Sequence, residues 1–232
     1  MRIKVWGSPE GIKELHQKKL ENHEIITEDI DPGYMQQCDL FIDLHPDKFY
    51  NRLDLYEQFY PIPVLVNCVK DTLAHIYMER FGNKQRFSLY GLNALPTFIG
   101  NPVAEVSVLH KGFASSLKKL MEELDWEYVV VEDFVGMITP RTVAMIINEA
   151  YFTVQDGTAS REDIDMAMKT GVNYPYGPFE WCHKIGVRHV YELLNLLYEA
   201  THDERYKVPA LLQREYKQDL LELKKQSDWP LY

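Results

Sequence analysis

No apolar run in these 232 residues is long enough to cross a bilayer, so no membrane partner is expected. Met1 leads straight into the charged stretch "RIKVW", with no signal-peptide core, and a cytoplasmic location is the expectation. Cysteine is scarce. Cys38, Cys68 and Cys182 are widely scattered, which excludes a disulfide framework and predicts three buried free thiols. There is no basic stripe. Twenty-five Lys and Arg against 35 Asp and Glu give a net charge of −10, which excludes a general nucleic-acid partner. "HQKKLENH" reads as a solvated helix face. His16, His23 and His45 fall in no metal-ligand spacing, and His183 and His189 lack a third ligand, so no metal is expected. There is no internal repeat, no low-complexity tract and no Pro/Gly/Ser-rich linker.

What is present changes character partway along. In "RIKVWG", Ile3 and Val5 alternate against Arg2 and Lys4, the pattern of a first strand. "HEIITEDI", "CDLFIDLH", "PVLVNCV", "RFSLYGLN", "AEVSVLH" and "EYVVVED" read as six more. The near-continuous apolar runs suit a parallel sheet covered on both faces. "FASSLKKLMEELDW" places Phe113, Leu117, Leu120, Met121 and Leu124 at helical spacing. Alternation of this kind predicts an α/β doubly wound domain. Beyond Asp133 only helices are expected. "TPRTVAMIINEAYFTVQDG" has Thr139 to cap it, Pro140 for its first turn and Gly157 past its end. "SREDIDMAMKTG" has Ser160 as N-cap, Asp163 at the capping-box position and Gly171 as its stop. "GPFEWCHKIG", "VRHVYELLNLLYEATHD" and "PALLQREYKQDLLELKKQ" supply the rest. The expected domains are therefore 1–135, a reduced Rossmann-like parallel sheet, and 136–232, all α.

The turn after the first strand is where a dinucleotide-binding fold carries G-x-G-x-x-G, letting the pyrophosphate approach the backbone at a helix N-terminus. Here it holds Gly7, Ser8, Pro9, Glu10 and Gly11. Pro9 has no amide hydrogen, and Glu10 brings a negative charge. Gly7 and Gly11 remain candidates for cofactor contact. Asp29, or Asp31, follows the second strand where an acid would hold a ribose hydroxyl pair.

From "NEAYFTVQDG" through "TASREDIDMAMKTGVNYPYGPFEW" the sequence strongly resembles the C-terminal domain of 3-hydroxyacyl-CoA dehydrogenases. Ala159, Glu162, Asp163, Ile164, Asp165, Ala167, Met168, Gly171, Tyr174, Pro175, Gly177, Pro178 and Phe179 fall in family register. The resemblance implies NAD as cofactor, an acyl-CoA-type small molecule as ligand, a role in fatty-acid metabolism, and a homodimer formed through the helical domain. Phe179 and Trp181 offer large apolar area for packing or association, as do Tyr174 and Tyr176.

The first half resembles the family more faintly. "CDLFIDLHPD" is similar to its third-strand motif, with Asp43 and Asp47 in place of glutamates. "RFSLYGLNALPTF" with "PVAEVSVL" resembles the segment that carries a catalytic His and, twelve residues on, a Glu. Glu105 stands twelve residues beyond Asn93, so the glutamate is kept and asparagine replaces the histidine. Asparagine has no proton affinity near neutral pH and cannot be the general base, though it could donate a hydrogen bond to a carbonyl. The N-T-S-S turn becomes Asn67, Cys68, Val69 and Lys70. Pro140 and Arg141 stand where the family has Asn and Arg. The helical arm between the second and third strands is missing, and the G-x-x-T-G-x-G-F-Y run gives way to "KKQSDWPLY". Three readings follow: an NAD-linked dehydrogenase, a family member impaired or inactive that serves as a binding or dimerisation module, or a different reaction with Glu105 as acid or base.

Overall fold

The computed structural model describes residues 1–81 and 88–227. The start of the "RFSLYGLN" strand (Arg86 and Phe87) and residues 228–232 lie outside the described residues. By internal packing the chain divides into Met1–Pro140 and a second unit from Arg141 onward.

In the first unit, β1 (Arg2–Trp6), α1 (Pro9–Leu15), β2 (Glu24–Ile26), α2 (Pro32–Met35) and β3 (Leu40–Asp43) follow in turn. Next come α3 (Leu53–Gln58), β4 (Val64–Asn67), α4 (Leu73–Phe81), β5 (Leu89–Leu92), β6 (Val103–Ser107), α5 (Ala114–Leu124) and β7 (Glu127–Val131). The seven strands form one sheet in the order β2-β1-β3-β4-β5-β6-β7. Between β2 and β3 only the four-residue α2 intervenes, so the family's helical arm is absent.

The sheet departs from the all-parallel expectation at one place. β5 and β6 are antiparallel, with Gly91 opposite Ser107. Residues 93–102 join them, and a parallel crossover needs about a dozen residues or more. β7 then returns parallel to β6 because α5 supplies a full crossover.

Both faces of the sheet are covered. On one, Ile3, Val5, Leu40, Ile42 and Leu65 pack with Leu15 of α1 and with Leu117, Leu120 and Leu124 of α5. Each such side chain contributes about 1.5–3 kcal/mol on burial. On the other, Phe41 meets Trp6 and Phe59 edge-on, at centroid distances of 5.4 and 6.1 Å. Burial on both sides corrects the reading of β1 as half-polar. Lys4 is fully buried. Its ammonium donates to the carbonyls of Thr27 (3.2 Å) and Glu28 (2.6 Å) just past β2 and lies 5.1 Å from the Trp6 ring centroid. Burial lowers its pKa.

The second unit is helical: α6 (Thr139–Gln155, which starts two residues before the division), α7 (Arg161–Gly171), α8 (Pro178–Ile185), α9 (Val187–Thr201) and α10 (Ala210–Ser227). Ser160 caps α7 by accepting from the Asp163 amide at 3.2 Å, and its hydroxyl donates to the Asp163 carboxylate at 2.6 Å. Gly171 closes α7, and the left-handed residue beyond it is Asn173, at φ 57°. Asp165 caps α8, accepting from the amides of Phe179 (2.8 Å) and Glu180 (3.0 Å). Gly177 has to be glycine: a Cβ there would lie 2.2 Å from the Asp165 carboxyl carbon. Leu193, Leu194 and Leu197 bury the inner face of α9, while Tyr191 stacks on Tyr216 of α10 at 3.9 Å. Among the described residues no helix is long and apolar enough to cross a membrane.

Candidate functional site

Asn93 follows β5 and Glu105 lies within β6, and the antiparallel pairing sets them side by side: the Asn93 amide donates to the Glu105 carbonyl at 2.9 Å. Both side chains are buried, Asn93 at 4% exposure and Glu105 at 6%. They meet through a third residue. The Thr139 hydroxyl donates to Glu105 Oε1 at 2.5 Å and accepts from Asn93 Nδ2 at 3.0 Å. The backbone amides of Ile138 and Thr139 also donate to the Glu105 carboxylate, at 2.9 and 3.0 Å. Glu105 therefore holds the start of α6, where unpaired helical amides favour a negative charge. Thr139 was expected to cap α6 with its own side chain. Instead its hydroxyl is directed at the carboxylate. Asn93 Oδ1 is buried and makes no hydrogen bond among the described residues.

The β1–α1 turn is closed on itself. The Ser8 hydroxyl accepts the Gly11 amide at 3.1 Å, and Pro9 has no amide to offer. Gly7 is needed for packing, because a Cβ there would come within 2.9 Å of Leu44 Cδ1. Gly11 is not crowded; its nearest neighbour would be Ser8 Oγ at 3.5 Å. Glu14 of α1 accepts from the amide of Thr97 at 2.9 Å. Neither the turn amides nor the charges around them fit a pyrophosphate held in the usual way.

Past β2, Asp31 is the N-cap of α2, accepting from the Tyr34 amide at 3.1 Å. Asp29 is exposed and lines a shallow polar hollow with Thr27, Glu28 and Tyr34. Asp43, at the end of β3, is fully buried. Arg52 (2.7 Å) and the Tyr56 hydroxyl (2.6 Å) donate to its Oδ2, while the backbone amide of His45 donates to Oδ1 at 3.0 Å, where His45 Nδ1 also lies at 3.0 Å. Burial beside this carboxylate raises the Tyr56 pKa. Sequence spacing could not reveal this knot, since Arg52 and Tyr56 come from a segment with no strong periodic signal. Asp47 accepts from the Lys70 ammonium at 3.1 Å.

The three cysteines are free and buried. Burial raises all three thiols, Cys182 to about 12. In the second unit Tyr151 donates to Glu215 at 2.6 Å, and Arg161 pairs with the same carboxylate. Tyr174 and Tyr176 both meet Trp181 edge-on, and Phe179 lies against Tyr151, so this aromatic run packs within the unit. A mostly apolar hollow of about 670 Å³ opens between α6 and α7, lined by Met145, Ile146, Ala150, Ile164 and Met168.

The family model for the C-terminal domain of 3-hydroxyacyl-CoA dehydrogenase matches residues 136–232. The 3-hydroxyadipyl-CoA dehydrogenase of Escherichia coli K12 is 48% identical over 84 residues, covering 36% of this chain and 18% of that protein. The 3-hydroxybutyryl-CoA dehydrogenase of Bradyrhizobium diazoefficiens is 32% identical over 117 residues, covering 48% of this chain and 40% of that protein. The chain thus spans less than half the length of either curated relative. In fold it is similar to (S)-3-hydroxybutyryl-CoA dehydrogenase PaaH1 from Ralstonia eutropha, with a TM-score of 0.69 and 17% identity over 92% of each chain. Residues 136–232 thus match that family's C-terminal domain, and the chain shares the fold of the Ralstonia enzyme, with a Rossmann-like sheet that lacks the helical arm.

Proposed function

We propose that this chain binds an acyl-CoA-type ligand but does not by itself carry out NAD-linked oxidation of 3-hydroxyacyl-CoA. One observation carries this. At the position that the resemblance gives to the proton acceptor stands Asn93, and the neighbouring Glu105 is committed to Thr139 and the start of α6. Oxidation of a 3-hydroxyl needs a group to receive its proton as hydride leaves. An amide cannot do so, and general-base assistance is worth about 10²–10⁴-fold. NAD, the cofactor the family implies, would supply the hydride acceptor. The closed Ser8–Gly11 turn argues against its usual grip here. Acyl-CoA is carried over from the relatives, whose names specify 3-hydroxyadipyl-CoA and 3-hydroxybutyryl-CoA.

The same engagement disfavours Glu105 as an acid or base in a different reaction. Exposed Met166 and Val172, on and just after α7, support a homodimer formed through the helical domain, to be tested by sedimentation at micromolar concentration. A clean monomer would remove that part of the proposal.

The activity test is turnover of acetoacetyl-CoA with NADH, alongside titration of NADH fluorescence. Wild type should give neither turnover nor a fluorescence change. Asn93→His should restore turnover only if NADH binds; without binding it should stay inactive. Robust wild-type turnover would overturn the proposal.

A further inference from the structure

The two edges of the sheet are not alike. β2 has three residues, its isoleucines are covered, and Glu24 is held by Arg2 and by the Tyr34 hydroxyl. β7 has five, and among the described residues it pairs with β6 alone. In a parallel pair a strand bonds its neighbour through alternate residues, so the others in β7 turn their N–H and C=O groups outward. The devices that guard an exposed edge are a proline, a lysine or a bulge. "EYVVV" contains neither residue, and its register with β6 runs unbroken from Glu127 to Val131.

Val129 and Val130 are 40% and 48% exposed. Successive residues of a strand point to opposite faces, and Tyr128, on the face of Val130, already packs against the core. The two valines are therefore open because each lacks a neighbour on the outer side. A helix or a flat surface laid on the sheet would cover one of them. A strand added beside β7 would cover both and would satisfy the outward backbone groups as well.

Charge narrows the occupant further. Exposed Glu127 and Glu132 bracket the valines, about 17 Å apart along the chain. No Lys, Arg or His occurs from Met121 to Ile138. The nearby lysines are engaged elsewhere, Lys19 with Asp125 and Lys118 with Glu122. A second copy fits poorly: antiparallel pairing about a two-fold axis between Val129 and Val130 sets Glu127 opposite Glu132 twice. We infer that β7 is a docking edge for an extended segment of another protein, apolar at its centre and with a basic residue at each end, five positions apart. The acyl-CoA-type ligand proposed above has no part in it.

The test is fluorescence anisotropy of the capped, fluorescein-labelled peptide KTVVTK titrated with the full chain. Its lysines match the spacing of Glu127 and Glu132 in either strand direction. Wild type should bind it at least about tenfold more tightly than ETVVTE, because two attractive cross-strand pairs become repulsive. N-methylation of both valines removes a donor from each edge of the peptide and should also cost at least about tenfold. The double variant Glu127→Lys, Glu132→Lys changes only exposed side chains and should reverse the preference between the two peptides. Should that variant fail to fold, the three peptides on wild type still decide. No binding of KTVVTK at millimolar chain would overturn the inference. So would equal affinity for ETVVTE, or for the methylated peptide. An assembly of the chain that dissociates as KTVVTK is added, seen by sedimentation, would give the edge to a second copy and overturn it too.

Discussion

Glu105 in the first unit and Asp165 in the second do the same physical work. Each carboxylate accepts two backbone amides near a helix start, Ile138 and Thr139 in one case, Phe179 and Glu180 in the other. Their surroundings differ. Asp165 is partly exposed and sits against a glycine that leaves it room. Glu105 is buried and takes a hydroxyl hydrogen as well. The resemblance marks Glu105 as a partner in catalysis and Asp165 as one residue of a helical scaffold. In this structure both hold a helix start. A carboxylate can hold its place in a sequence because a helix start requires it.

The largest effect should come from Gly177→Ala. The new Cβ would meet Asp165 within 2.4 Å, displacing the carboxylate that caps α8. Overpacking plus a lost cap should cost about 3 kcal/mol in urea unfolding. Gly11→Ala, with open neighbours, should be neutral or stabilising by up to about 1 kcal/mol. Equal costs for the two would break the steric account of Gly177. Glu105→Gln comes next, at about 2 kcal/mol, since it turns an NH2 toward amide donors in a buried place. Asp165→Asn, in its more open setting, should cost about half that, read from the same unfolding curves. A neutral Glu105→Gln would leave the carboxylate unneeded for structure and return it to chemistry.

Adjacent lysines in the first unit provide a further contrast. Lys18 is buried, donates to the carbonyls of Asn101 and Pro102, and lies over the Trp126 ring. Burial lowers its pKa to about 8 from 10.5. Between those values the unfolded chain binds more protons than the folded one, so stability should rise with pH across that window. The rise should be about 1–3 kcal/mol, seen as the difference between wild type and Lys18→Met in urea midpoints at pH 7.5 and 10. Identical pH profiles for the two proteins would contradict the assignment. Lys19 pairs with Asp125 at 2.8 Å on the surface. Lys19→Ala should change stability by less than about 0.5 kcal/mol in the same assay.

Local signals were legible. Ser160 with Asp163 announced the start of α7, and continuous apolar runs announced β3 and β4 as strands buried on both sides. The spacing of Glu105 from Asn93 was legible as well. The work of Glu105 was not, because its partners lie 33 and 34 residues further on. Lys4 misled for a similar reason. Alternation put it on a polar face, and only the free carbonyls past β2, 23 and 24 residues away, make its burial tolerable. The antiparallel β5–β6 pair follows from a loop too short for a crossover, a signal of length that strand pattern alone does not carry.

The buried thiols give the protein an internal clock. A thiol reagent attacks the thiolate, and burial keeps Cys38, Cys68 and Cys182 protonated and covered. Their labelling must wait for an opening event, so its rate measures how often that part of the chain comes apart. Cys38 reports on the approach to β3, Cys68 on the end of β4 and Cys182 on the middle of α8. Mass spectrometry of a labelling time course would therefore time the opening of the sheet unit and of the helical unit separately, in one unmodified sample.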